Sequence, residues 1–269
     1  WSCSDPENDP LTYDLYFGIE PTPPQVATGI ADTFYTPGTL EYATTYYWQI
    51  VAHDDHGNTT EGEVWSFTTK ETWECGDSLV DNRDGQKYAT VQIGQQCWMA
   101  ENLNVGERID GSKEMTDNGT IEKYCYDDDP VNCETYGGLY QWNEMMGYTV
   151  AAGVQGICPI GWHLPTDTEW TELTDYVSSQ PEYLCNNNPT FIAKALAATS
   201  YWNSSSNTCA IGNNLLANNT TGFTGLPAGI RTSDGFFAMI GNGGILWSST
   251  KYLDAQAWTR FMYYSPAGV

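Results

Sequence analysis

The sequence predicts two domains: an all-β sandwich over residues 1–70, followed by an α+β domain with two helices and many loops over residues 71–269. Apolar and polar residues alternate through the first part, as they do in half-buried strands. Apolar residues at helical spacing occur in the second part, between short strand-like segments. The length of 269 residues suits two domains of ordinary size.

Two alternating segments define the first domain. LTYDLYFG and TYYWQIVAHD each place every second apolar residue on one face of a strand. The turn DDHGN separates the second strand from a returning strand, VWSFTT. Several short strands joined by turns predict a small sandwich. The residues predicted to share a face are Leu11, Tyr13, Leu15 and Phe17 in one strand, and Tyr46, Trp48, Ile50 and Ala52 in the other.

The clearest helix of the second domain is TDTEWTELTDYVSSQ. Thr166 is a good N-cap, and Glu169 three residues later completes a capping box. Trp170, Leu173 and Val177 then fall on one face. A second helix is predicted in PTFIAKALAATSYW, and YGGLYQWNEMMGY also has helical spacing. The apolar positions concerned are Phe191, Ala195 and Leu196 in the former, and Leu139, Trp142, Met145 and Met146 in the latter.

The composition excludes several classes of partner. Lys and Arg total 10 against 34 Asp and Glu, which gives a formal net charge of −24. Binding to nucleic acid or to an anionic membrane surface needs clustered basic residues, so we expect neither. No apolar run approaches the roughly 18 residues of a membrane-spanning helix, so we expect no membrane insertion. An aromatic content of 14% is typical of a folded chain rather than a disordered one.

The first domain resembles a bacterial fibronectin type III domain, an immunoglobulin-like sandwich. The matching segments are DPENDPLTYDLYFG, PGTLEYATTYYWQIVAHDDHG and VWSFTT, with Trp1 before them. LEYATTY is similar to the tyrosine corner of that family, which implies a hydrogen bond between Tyr46 and backbone upstream. The family's first strand normally precedes the Trp, so we expect this strand to be missing and an edge of the sheet to be open.

The second domain resembles the Fibrobacter succinogenes major paralogous domain. The matching segments are VQIGQQCWMAENLNVG, YCYDDDPVNCETYGGLYQW, CPIGWHLPTDTEWTEL, TGFTGLPAGIR, GILWSST and AWTRFMYY. The resemblance implies a C-type-lectin-like core and a bacterial protein that is secreted or held at the cell surface. Family members continue with a last strand that carries a Cys, so we expect this strand to be missing and the chain to be a piece of a longer one.

The eight cysteines contain no Cys-x-x-Cys pair, which favours disulfides and an oxidising, extracellular compartment. Three pairs bracket loops, although spacing alone leaves the connectivity open. Cys3 and Cys158 then remain, and the missing terminal Cys is the partner that the resemblance implies for Cys158. The bracketing pairs are Cys75 with Cys97, Cys125 with Cys133, and Cys185 with Cys209.

The segment GWHLPTDTEW raises the question of a catalytic or metal-binding cluster made by His163, Asp167 and Glu169. No Gly-x-Ser-x-Gly motif occurs, and no Cys lies beside a candidate base. Oxidase relatives of the lectin-like fold group use paired cysteines late in the chain, and no Cys follows Cys209 here. We therefore expect a scaffold and no enzyme, with Leu164 and Trp170 buried.

The acidic loop Asp127, Asp128 and Asp129 is a candidate site for a structural calcium ion. Calcium needs several oxygen ligands that converge on one point, whereas three consecutive side chains point in different directions. A solvated acidic loop is therefore favoured, and we expect no cofactor.

The best candidate for ligand binding is the aromatic-rich C-terminal segment. Aromatic faces beside amides and carboxylates suit sugar rings, and they equally suit protein interfaces. We expect Trp247 and Trp258 in the core and the other members exposed. The candidates are Trp247, Tyr252, Asp254, Trp258, Tyr263 and Tyr264.

The sequence thus favours a non-catalytic extracellular bacterial module for adhesion, with a glycan or a surface protein as its ligand. One alternative is a structural subunit of an extracellular filament that self-assembles by strand addition at open edges. Another is a pair of accessory domains in a secreted polysaccharide-degrading enzyme. The step from fold to ligand rests on analogy.

Overall fold

The structure is a computed structural model that describes residues 1–5, 9–70, 72–253 and 256–265. It contains two compact units, residues 1–74 and residues 75–269. In the described part of the chain, every helix is too short or too polar to cross a membrane.

The first unit is one antiparallel sheet of five strands in the order β2-β1-β3-β4, with β5 paired to the same edge of β3 as β4. Alternation of side chains predicted the two central strands, and both form. The strands are β1 (Thr12–Gly18), β2 (Gln25–Ile30), β3 (Thr45–His53), β4 (Thr59–Glu61) and β5 (Trp65–Thr68).

The described residues of the first unit form this single sheet, so the predicted two-sheet sandwich is not observed. The apolar face of the sheet is well covered at Tyr13 and Leu15, which are 4% and 2% exposed. It is open at β5, where Trp65 and Phe67 are 57% and 41% exposed. Register places Trp65 opposite Trp48 and Phe67 opposite Tyr46, so the open and the covered residues belong to one face.

Tyr46 makes the contact that its sequence context implied. Its hydroxyl accepts a hydrogen bond from the backbone N–H of Glu41 at 3.0 Å. Its ring stacks on Phe17 and Phe67, with centroids 5.2 and 5.8 Å away. The predicted link between Tyr46 and upstream backbone is therefore confirmed.

The second unit is built from small sheets joined by long loops. The largest has the order β13-β12-β14-β15, in which β15 is an edge strand. The strands are β6 (Leu79–Val80), β7 (Lys87–Tyr88), β8 (Thr90–Ile93), β9 (Gln96–Met99), β10 (Glu107–Arg108), β11 (Glu122–Lys123), β12 (Ala228–Arg231), β13 (Phe237–Ile240), β14 (Gly243–Leu253) and β15 (Gln256–Tyr263). Gly244 allows β12 and β14 to approach, because a Cβ there would lie 2.8 Å from the Leu226 oxygen.

Four α-helical segments are described in this unit, rather than two helices. They are α1 (Pro130–Tyr136), α2 (Trp142–Met145), α3 (Asp167–Ser179) and α4 (Ala193–Leu196). Only α3 exceeds two turns among them. Single 3₁₀ turns lie at Tyr126–Asp128, Pro181–Tyr183, Cys185–Asn187 and Leu215–Ala217.

Helix α3 follows its sequence signals closely. The Thr166 side chain accepts from the Glu169 N–H, and the Glu169 carboxylate accepts from the Thr166 N–H at 2.7 Å. Trp170, Leu173 and Val177 are 5%, 1% and 0% exposed and join the main hydrophobic cluster. The predicted capping box and buried face are both confirmed.

The other two helical predictions are largely wrong. The predicted second helix shrinks to α4, where Ala195 and Leu196 are buried and Phe191 is half-buried before the helix starts. Hydrogen bonds from other loops hold the backbone here, such as Thr221 N–H to the Ala195 oxygen at 3.1 Å. In the segment YGGLYQWNEMMGY, only the single turn α2 is helical. Leu139 lies before this turn and forms a β-bridge with Tyr124.

Three disulfides join the pairs that bracket loops in the sequence. They are Cys75–Cys97, Cys125–Cys133 and Cys185–Cys209. Cys3 is exposed and Cys158 is buried, and neither forms a disulfide. Burial raises the pKa of the Cys158 thiol to about 12, so this thiol is protonated and unreactive in the folded chain.

Candidate functional site

The hairpin of β14 and β15 carries most of the residues that the sequence proposed for ligand binding. The register of β14 shifts relative to β15 between Trp247 and Lys251, and again before Leu253. The extra residues all lie in β14, so side chains of β15 alternate regularly between the two faces of the sheet. This alternation decides which candidates can act together.

Tyr252 and Trp258 form an exposed pair near the loop end of the hairpin. Their ring centroids are 4.6 Å apart, and the ring planes meet at 67°. Tyr252 is 54% exposed and Trp258 is 41% exposed. The prediction that Trp258 is buried in the core is therefore wrong. Trp258 lies on the edge strand β15, two residues after the strand begins.

An ion pair flanks the aromatic pair on the same face of β15. Arg260 lies two residues after Trp258, which places it about 7 Å further along the same face. Its Nη1 atom is 2.7 Å from Asp167 Oδ1, and its Nη2 atom donates to Thr171 Oγ1 at 3.2 Å. The first turn of α3 is thereby attached to the edge strand.

The N-terminus of α3 is also attached to β14. The Asp167 N–H donates to Thr250 Oγ1 at 3.0 Å, and the Trp170 indole donates to the Trp247 oxygen at 3.1 Å. Because α3 is anchored in the hydrophobic core, these bonds give the hairpin a rigid support. The hairpin face that α3 supports carries the Tyr252–Trp258 pair, which we call the Tyr252–Trp258 corner or the aromatic corner. The Arg260 guanidinium and the Asp167 carboxylate lie beside it.

Phe261 and Tyr263 lie on the opposite face of the hairpin. Their rings stack with centroids 5.7 Å apart, and Phe261 pairs with the exposed Ile245. Tyr263 is half-buried, and so is Tyr264, which packs against the main hydrophobic cluster. The expectation that both tyrosines are exposed is not met, because the Tyr263 ring packs against Phe261 and Tyr264, and Tyr264 packs against the core.

Trp247 is a scaffold residue, as expected. Its indole donates to the Tyr140 oxygen at 3.0 Å, and its ring packs against the cluster that contains Met146. Asp254 lies outside the described residues. The structure therefore keeps Tyr252 and Trp258 together among the six candidates and separates them from Tyr263 and Tyr264.

The segment GWHLPTDTEW forms a capped helix start. His163 Nε2 lies 2.8 Å from Glu169 Oε1, while Oε2 of the same carboxylate caps α3. Burial raises the pKa of Glu169, but the hydrogen bonds from Thr166 and His163 outweigh burial and hold this pKa below its ordinary value of 4.5. Leu164 and Trp170 are each 5% exposed. These contacts support a structural role for the segment.

The three aspartates of the acidic loop make separate contacts. Asp128 Oδ1 accepts from the Gly111 N–H at 2.7 Å, and Asp129 Oδ1 accepts from the Val131 N–H as the N-cap of α1. Asp127 and Asp128 both have positive φ. None of the three belongs to a group of converging ligands within the described residues.

Converging carboxylate and imidazole groups occur elsewhere, in the first unit. Asp9, Asp55 and His56 bring one ligand atom each within 4.8 Å of the others. The sequence predicts only a turn at DDHGN, which contains Asp55 and His56. Asp9 is distant in sequence and reaches this turn only through the tertiary structure. The group is exposed or half-buried, and His56 Nδ1 makes ion-pair contacts of 3.1 Å with both aspartates.

Charge is distributed very unevenly along the chain. Residues 1–190 contain 6 basic and 32 acidic residues, whereas residues 191–269 contain 4 basic and 2 acidic ones. The hairpin therefore lies in a nearly neutral stretch of a strongly acidic chain. Counting charge over the whole sequence conceals this difference.

A family model described as the Fibrobacter succinogenes major domain matches residues 91–267. The match covers about two thirds of the chain and includes α3 and the β14–β15 hairpin. No curated protein and no solved structure matches the chain.

Proposed function

The chain belongs to the Fibrobacter succinogenes major domain family over residues 91–267, and on that premise we propose that it is a non-catalytic extracellular bacterial module that binds glycans. The observation that carries the proposal is the exposed Tyr252–Trp258 pair on a supported hairpin. Large aromatic side chains exposed side by side commonly mark an interaction site, because their exposure to water is unfavourable and a ligand would cover them.

Three disulfides support an extracellular location, because such bridges persist in oxidising compartments. A non-catalytic role is supported by the Glu169 carboxylate, which contacts His163 and is already engaged as a cap of α3. The same disulfides support secretion or attachment at the cell surface.

We propose the finer fold assignments on separate grounds. A fibronectin type III origin for residues 1–70 is supported by the hydrogen bond between Tyr46 and Glu41. A C-type-lectin-like fold for the second unit is supported by a capped helix packed against a sheet that ends in a long hairpin.

The test is a binding screen of the intact chain against plant and bacterial polysaccharides. The double variant Tyr252→Ala/Trp258→Ala is compared with Phe261→Ala, a matched aromatic truncation on the opposite face. Binding that the double variant loses and Phe261→Ala retains is expected. Failure of the wild-type chain to bind any polysaccharide contradicts the proposal.

A second candidate is a subunit of a surface assembly. It is favoured by the open part of the apolar face in the first unit, at Trp65 and Phe67. Contact with a second copy would cover these rings. Concentration-dependent sedimentation that Trp65→Ser/Phe67→Ser abolishes supports assembly, and a strictly monomeric wild-type chain contradicts it.

A further inference from the structure

We infer that the Tyr252–Trp258 corner takes a single uncharged polysaccharide chain, with Asp167 as the hydrogen-bonding group for its hydroxyls and Arg260 as the residue that positions Asp167. The inference rests on the proposed function and adds the class of glycan, one further binding residue and one positioning residue. It excludes flat crystalline polysaccharide and polyuronate as ligands.

The angle between the two rings favours a single polysaccharide chain over a flat crystalline surface as the ligand. A crystalline polysaccharide face presents its sugar rings in one plane, and it is matched by aromatic rings that are coplanar with each other. The planes of Tyr252 and Trp258 meet at 67°, so only one ring can lie flat against such a face. A single sugar can instead lie against the corner, with its face stacked on one ring and its edge against the other.

The charge of the protein favours a neutral glycan over an acidic one as the ligand. The hairpin lies in a nearly neutral stretch of sequence, so a polyuronate gains little attraction there, and the chain as a whole, with net charge −24, repels a polyanion at low salt. Two cations of the hairpin could oppose this effect locally. Arg260 is already bound to Asp167, and Lys251 lies over the Trp142 ring with its Nζ 5.8 Å from the centroid. Register places Lys251 opposite Ala257, which alternates away from the face of Trp258.

The ion pair supplies the polar half of the site. The Asp167 carboxylate accepts hydrogen bonds from hydroxyls. Arg260 holds this carboxylate in place, since its Nη1 and Nη2 atoms already donate to Asp167, Thr171 and Thr259. The side chains of Asp167 and Arg260 are 31% and 16% exposed, which leaves polar surface available to a ligand. Because each holds the other in place, little side-chain entropy remains to be lost on binding.

The experiment measures dissociation constants of the intact chain for three classes of probe. These are soluble neutral polysaccharides (mixed-linkage glucan, xylan and galactomannan), polygalacturonate and crystalline cellulose. Each titration is repeated for Trp258→Ala, Asp167→Asn and the matched control Phe261→Ala. Melting curves confirm that each variant is folded, which the 41% exposure of Trp258 favours.

We expect a soluble neutral polysaccharide to bind, with affinity at least about tenfold lower for Trp258→Ala. Asp167→Asn should also weaken binding, and Phe261→Ala should leave it unchanged. Preferred binding to polygalacturonate or cellulose that Trp258→Ala still abolishes would overturn the inference and leave the proposed function standing. If Trp258→Ala and Asp167→Asn both bind a soluble glycan as well as wild type does, the Tyr252–Trp258 corner is not the binding site and the inference is overturned. Binding to no probe would overturn the inference and the proposed function together.

Discussion

The carboxylate of Asp167 and the guanidinium of Arg260 lie 2.7 Å apart and join the first turn of α3 to the edge strand β15. This contact spans 93 residues of sequence. It positions the hairpin relative to a helix that is anchored in the core. The aromatic corner therefore lies next to a part of the hairpin that is bonded to this helix.

The Asp167–Arg260 pair should contribute modestly to stability. Both side chains are partly exposed, and such pairs contribute up to about 1 kcal/mol. Asp167→Asn should therefore lower the free energy of unfolding in urea by about that amount at low salt, with less effect at high salt. Asp175→Asn, an exposed carboxylate on the same helix, is the control and should change little. A salt-independent loss would show that something other than the ion pair was removed.

Glu169 should make stability depend on pH in the acid range. Its folded-state pKa lies below the ordinary value of 4.5, so its ionised form stabilises the fold above that pH. The contribution is lost as pH falls through the folded-state pKa. Glu169→Gln keeps a capping side chain without the charge, so the stability gap to wild type should shrink between pH 7 and about pH 3. The exposed Glu182→Gln variant is the control. If the difference in unfolding free energy between wild type and Glu169→Gln stays constant or widens as pH falls, relative to this control, the prediction is contradicted.

The disulfides should differ in their contribution to stability. Cys185–Cys209 spans 24 residues, whereas Cys125–Cys133 spans 8. Loop-closure entropy makes the longer bridge more stabilising by about 1 kcal/mol. Replacing the longer pair by Ala should accordingly cost more in urea unfolding than replacing the shorter pair. Equal losses, or a larger loss for the shorter loop, would contradict an entropic origin.

The two remaining cysteines should react differently with a thiol reagent. Cys3 is exposed, whereas Cys158 is buried and its pKa is raised to about 12. The native chain should take up one equivalent of iodoacetamide, and a second only after unfolding. Mass mapping that finds Cys158 labelled under native conditions would contradict the burial of this thiol.

Sequence reasoning succeeded where the signals are local. Thr166 and Glu169 define the start of α3, and the stripe from Trp170 to Val177 defines its buried face within four turns. Helix α1 was missed although Asp129 followed by Pro130 is a recognised N-cap and first-turn pair.

Sequence reasoning failed where long-range contacts decide the outcome. The Ala-rich segment around α4 favours a helix locally, but it is buried on all sides and its carbonyls bond to distant loops. Exposure of Trp258 depends on register in a hairpin and on an edge position that no local pattern reveals. The separation of Tyr252 from Tyr263 likewise follows from alternation in β15, once its pairing is known.

The most direct test of glycan recognition at this corner is a calorimetric titration of wild type, Trp258→Ala and Phe261→Ala with the tightest soluble neutral polysaccharide. We predict that Trp258→Ala raises Kd by at least about tenfold while Phe261→Ala leaves Kd within error of wild type. Equal Kd values for wild type and Trp258→Ala, in chains shown to be folded, would contradict recognition at the Tyr252–Trp258 corner.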